Sequence, residues 1–143
     1  MARKYIPIAL DQRIRSDARH RCGYCLSPQH LVMARLEIEH IVPLSKGGSD
    51  DESNLWLACP ICNRHKANKT TGIDPESGEE SPLFNPRQQI WSEHFRWDES
   101  GFYLIGLTAL GRATVAALQM NEDIDALMVR SYWIEAGWHP PSE

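Results

Sequence analysis

The sequence predicts an α+β fold in which a strand, a polar loop, a second strand and a short helix gather on a four-cysteine zinc site. A C-terminal β-hairpin and two helices follow. Three observations lead there. The stretch 36–69, LEIEHIVPLSKGGSDDESNLWLACPICNRHKANK, passes from alternating apolar and polar residues through a Gly-rich loop to an apolar run and a Pro-initiated helix. Four cysteines fall as two Cys-x-x-Cys pairs, Cys22 with Cys25 and Cys59 with Cys62. Positive charge is concentrated in residues 1–70, with 11 Lys and Arg against 7 Asp and Glu, whereas the remainder carries 4 against 12.

Residues 1–8 are short, basic and apolar and predict an extended arm. Residues 11–19 have helix-forming composition, with Leu10, Ile14 and Ala18 at four-residue steps on one side. Arg13 and Arg15 lie off that side and read as ordinary solvated charges. Residues 31–34 predict a strand leading into the next one, which spans 36–39 and ends near Pro43. The segment SKGGSDDESN is turn chemistry, and 55–58 is the second strand. Pro60 suits the first position of a helix, because its missing N–H has no intrahelical partner to lose. That helix is expected to reach about Lys69.

Residues 70–85 show no period and predict a connection. Residues 94–97 and 102–107 predict a hairpin around a turn at 98–101, whose aromatic residues Trp91, Phe95, Trp97, Phe102 and Tyr103 read as core. Thr108 caps a helix to about Met120, and a second helix over 121–136 is stopped by Gly137. Ile124, Leu127, Met128, Tyr132, Trp133 and Ile134 are expected to pack it. The chain thus divides into a core, 1–72, and an extension, 73–143, packed on it. The extension is expected to shape a groove, buttress the core or pair two copies as a homodimer.

Composition excludes several classes. No apolar run is long enough to span a bilayer and no secretion signal opens the chain, so a soluble, cytoplasmic protein is expected. A net charge of −4 argues against an indiscriminate nucleic-acid binder, although the basic half is the one with the motif. There is no nucleotide-binding Gly loop and no nucleophile motif.

Each Cys-x-x-Cys turn presents two thiolates, and two turns complete a tetrahedron around structural Zn²⁺. A reducing cytoplasm disfavours disulfides at these positions. Such a site has no open position, so its zinc is not expected to be catalytic. His20 and His30 flank the first pair and read as loop residues. On the 60–69 helix, Asn63 and Lys66 share a face, whereas His65 lies about 200° from Asn63. Asn63 is therefore favoured over His65 as the partner of Glu39 in holding a hard divalent ion, Mg²⁺ or Mn²⁺. Glu37 lies on the same strand face as Glu39 and reads as solvent-facing, with a further metal carboxylate as the alternative. His40 is the candidate general base for hydrolysis of a phosphodiester, and Asn54 the residue whose amide ties the loop to the His40 segment. Arg64, His65 and Lys66 are the candidate phosphate contacts. Strand alternation points Glu39 and His40 to opposite faces, so this pairing of roles requires the strand to twist or end between them.

The order Glu39-His40, Asn54, then Asn63 directly after Cys-x-x-Cys resembles the HNH endonucleases, the ββα-metal nucleases, in the branch braced by a four-cysteine zinc. The resemblance runs over residues 21–72. It implies that Glu39 and Asn63 bind the catalytic ion, that His40 activates water, that Asn54 is structural and that DNA is the substrate. Glu39 stands where Asp is commoner in that family, and Asn63 where His is usual. The expectation is a metal-dependent endonuclease hydrolysing DNA; the rival is a noncatalytic zinc module that binds DNA or a protein.

Overall fold

A computed structural model describes residues 6–141. The arm expected over residues 1–8 falls largely outside them, and Ile8 already opens helix α1 (Ile8–Asp17). Ile14 on this helix is fully buried and Ala18 nearly so, which seats α1 against the strand pair. Removing a side chain such as Ile14 from water contributes about 1.5–3 kcal/mol. Arg15 turns back to Asp11 and to the Leu36 carbonyl, and Arg13 pairs with Glu52.

Strand β1 (Glu37–His40) pairs antiparallel with β2 (Leu55–Ala58), with Glu37 opposite Ala58 and His40 opposite Leu55. Helix α2 (Pro60–Lys66) follows with Pro60 at its first turn, and it packs on β1. This is the strand-loop-strand-helix unit expected from 36–69. The strand expected over 31–34 is absent. The chain there forms a 3-10 turn, Gln29–Leu31, held where the Gln29 amide spans from the Ala34 carbonyl to the Leu36 N–H. That side chain satisfies the backbone groups a sheet partner would otherwise take.

The segment 70–85 is not a plain connection. It holds a small antiparallel hairpin, β3 (Thr71–Ile73) with β4 (Glu80–Pro82). Its turn is built on the buried Asp74, which accepts from the Glu76 N–H and the Ser77 hydroxyl and forms a two-pronged ion pair with Arg112. Arg112 holds the Asp74 carboxyl below the usual range.

A short helix α3 (Trp91–His94) leads into the expected hairpin of β5 (Phe95–Trp97) and β6 (Leu104–Gly106). Helix α4 (Ala109–Ala117) is capped by the Thr108 hydroxyl, which accepts from Gly111 N–H. It lies across β3, β4 and β6. Helix α5 (Ile124–Ala136) ends at Gly137 in the left-handed region. Its inward face differs from the expected one: Ile124, Met128 and Tyr132 are exposed, whereas Arg130 is buried. Arg130 donates to the Phe102 and Met120 carbonyls and lies over the Trp97 ring, so a charged residue anchors the helix.

One apolar cluster joins the two halves of the chain, from Ile14, Tyr24 and Leu57 to Phe84, Phe95 and Leu118. Phe84 and Phe95 meet edge to face at 5.1 Å, and Trp91 donates its indole N–H to the Tyr24 carbonyl. Among the described residues no helix is long and apolar enough to cross a membrane.

Candidate active site and zinc centre

The first and second Cys-x-x-Cys turns meet. The Sγ atoms of Cys22, Cys25, Cys59 and Cys62 all lie within 4.8 Å of one another, and all four residues are buried. Four thiolates about 2.3 Å from a tetrahedral zinc ion are about 3.8 Å apart. The 3.7 Å separation of Cys25 and Cys59 matches that edge. Two backbone N–H groups already point at sulfur, Tyr24 at Cys22 and Cys62 at Cys59, each at 3.4 Å. Donor chemistry and geometry therefore fit structural zinc.

The loop after β1 is folded tightly back. Gly47 has φ +87°, and a Cβ on Gly48 would fall 1.8 Å from the Val42 carbonyl oxygen. Glycine is needed at both, at the first for backbone conformation and at the second for close approach. Asn54 fastens this loop: its Oδ1 accepts from Val42 N–H, and its Nδ2 donates to the Val42 and Ser49 carbonyls. The fold brings Asp50 to the ring of His40, with Oδ1 2.7 Å from Nε2. A carboxylate can only accept here, so Nε2 carries a proton, and in the neutral imidazole Nδ1 is the nitrogen with the lone pair. His40 Nδ1 has no hydrogen-bond partner among the described residues. Asp50 went unread in the sequence because it lies within an acidic turn, with nothing local to mark it.

Among the described residues no hydrogen bond joins Glu39 to Asn63. Alternation along β1 turns Glu39 inward, where it is 3% exposed. Its Oε1 accepts from the Tyr24 hydroxyl, and its Oε2 makes no hydrogen bond but lies 3.4 Å from Lys66 Nζ. Burial pushes the Glu39 carboxyl above its usual range, against the pull of Lys66 and Tyr24. Asn63 instead donates its amide to Glu37 Oε1 at 2.7 Å. Two rungs thus link β1 to α2, Glu37 to Asn63 and Glu39 to Lys66. A divalent ion on Glu39 would face the Lys66 ammonium at contact distance, so Glu39 with Asn63 does not fit the ion expected of them.

The expected phosphate contacts are also reassigned. Lys66 is 2% exposed and donates to the His40 and Ile41 carbonyls, which holds the end of β1 on α2. His65 and Arg64 both reach Asp123 Oδ2, at 2.7 and 3.1 Å. His65 and Arg64 in turn hold the Asp123 carboxyl below its usual range.

Replacing Lys66 by Met would leave the Glu39 carboxylate buried without a counter-charge. Urea denaturation is expected to show a loss of about 3–5 kcal/mol, largely restored in the Glu39→Leu, Lys66→Met double variant. An unchanged midpoint in Lys66→Met would mean that the pair contributes nothing.

The geometry defines a class: a two-stranded ribbon and short helix braced by a four-cysteine metal site, with an imidazole at the ribbon's end. Residues 22–69 match the model of the HNH endonuclease family, and this segment of the chain is an HNH domain. That family is one of nucleases. No curated protein and no solved structure matched the chain.

Proposed function

We propose that the protein is an endonuclease that hydrolyses DNA phosphodiester bonds, with His40 as general base and Asp50 as its positioning residue. The observation that carries this is the His40–Asp50 pair at 2.7 Å, which fixes the proton on Nε2 and frees Nδ1 to take one from water. Asn54 keeps the loop closed so that Asp50 stays in reach. Attack by the water oxygen on phosphorus forms one P–O bond and releases the 3′ oxygen as leaving group.

Among oxygen donors, Glu37 and Asn63 form the carboxylate-and-amide pair that suits Mg²⁺ or Mn²⁺, an ion that keeps several waters. Bound there, it would supply charge stabilisation to phosphate; Glu37 and His40 lie on opposite faces of β1, so one phosphate reaches both only around the end of the strand. Glu37 replaces Glu39 in this role because its carboxylate is not committed to a buried ammonium.

Supercoiled plasmid incubated with Mg²⁺, with Mn²⁺ and without a divalent ion tests the reading. Nicking is expected only with the ion, abolished in Glu37→Gln. A Glu37→Gln protein that nicks at the wild-type rate removes Glu37 from the site. Binding of plasmid without cutting in any ion would instead mean a noncatalytic module.

A further inference from the structure

With the expected phosphate contacts of α2 buried or paired with Asp123, a basic concave surface lies elsewhere. Helix α1 ends in two consecutive non-glycine residues in the left-handed region, Arg19 at φ 55° and His20 at φ 54°. Such a conformation costs of order 1 kcal/mol per residue and survives only where the surroundings hold it. Here the His20 N–H bonds back to the Arg15 carbonyl and the His20 carbonyl accepts from Gln29 N–H. Arg19, His20 and Arg21 from this turn, together with His30 from the Gln29–Leu31 turn, line a cleft of about 1090 Å³. Trp138, just past the end of α5, also lines the cleft and is 58% exposed.

Two features set this cleft apart. Among the described residues no Asp or Glu lines it. Arg19, His20 and His30 form no side-chain hydrogen bond or ion pair among the described residues, and Trp138 stacks on no other ring among them. An uncommitted guanidinium beside an uncovered indole offers a cation for phosphate and a flat face for a base. A duplex keeps its base faces covered, whereas an unpaired strand presents them.

We propose that this cleft is a binding site for single-stranded nucleic acid, with Arg19 on the phosphate backbone and Trp138 stacked on an unpaired base. The proposal rests on the nuclease reading for its biological sense but uses none of the His40 machinery. The site holds a strand away from the bond that is cut.

Anisotropy of a labelled single-stranded oligonucleotide of about 12 nucleotides, without added divalent ion, tests it on the full chain. Trp138→Ala is expected to weaken binding about tenfold, and the strand to quench indole fluorescence in the wild type but not in that variant. Arg19→Ala is expected to make the log–log salt dependence shallower by about 0.7. Both positions are exposed, and matched melting temperatures would confirm the fold. Wild-type affinity and slope in both variants overturn the proposal, while plasmid nicking leaves the nuclease reading standing. Displacement of the strand by polyglutamate as readily as by unlabelled DNA also overturns it, in favour of an acidic peptide partner. A wild-type protein that nicks plasmid but fails to bind the oligonucleotide overturns the cleft alone; one that does neither overturns both.

Discussion

Removing the metal from the four-cysteine cluster is expected to unfold the HNH segment. The four sulfurs sit among the most buried groups of the chain and join the turn before β1 to the N-cap of α2. Burial pushes the Cys22 thiol up, neighbouring thiols push Cys62 up, and hydrogen bonds from the same neighbours hold Cys25 down. Zinc takes its cysteine ligands as thiolates, so binding releases protons. Structural zinc in small modules contributes an apparent 10–16 kcal/mol or so, comparable to about 5–15 kcal/mol for the whole stability of a typical domain. Titration with a mercurial reagent should release one zinc per chain, with loss of the near-ultraviolet dichroism that reports Tyr24 and Trp91 in their packed setting. Retention of a cooperative transition at the original temperature after complete release would refute this, as would protein purified without zinc.

Replacing His40 by Ala is expected to lower plasmid nicking by about 10²- to 10⁴-fold, the range for loss of a general base. The side chain is mostly buried and, among the described residues, pairs with one charged partner, Asp50, so the fold should lose about 1 kcal/mol. Zinc content and melting temperature therefore separate a chemical loss from a structural one. Asp50→Asn should fall between wild type and His40→Ala, because the amide still meets the ring but no longer dictates which nitrogen carries the proton. Nicking by His40→Ala at the wild-type rate would remove the imidazole from the reaction.

Local chemistry was legible wherever the signal sat within a turn or two of the chain. Pro60 and the cysteines on either side placed the start of α2, Thr108 the start of α4, and Gly137 the end of α5. The strand pair followed from alternation and from the glycines between. What the sequence withheld depends on partners far along the chain. Asp74 makes a hairpin of residues 70–85 because Arg112, 38 residues on, closes its turn. Asp50 reaches His40 only when the loop folds back. The inward turn of Glu39 was partly visible: alternation set it opposite His40, and the helical face shared by Asn63 and Lys66 implied that a lysine, too, would face the strand. The outer stripe of α5 misled because Ile124, Met128 and Tyr132 are apolar yet exposed, while the helix is anchored by an arginine.

Asp123 carries two duties on one carboxylate. Its Oδ1 accepts from Ala126 N–H and closes the first turn of α5, while its Oδ2 takes both Arg64 and His65 from α2. The start of the last helix and the screening of positive charge on the HNH helix are thereby tied to a single side chain. A substitution at Asp123 therefore frays the start of α5 and uncovers the charge of Arg64 and His65 in one step.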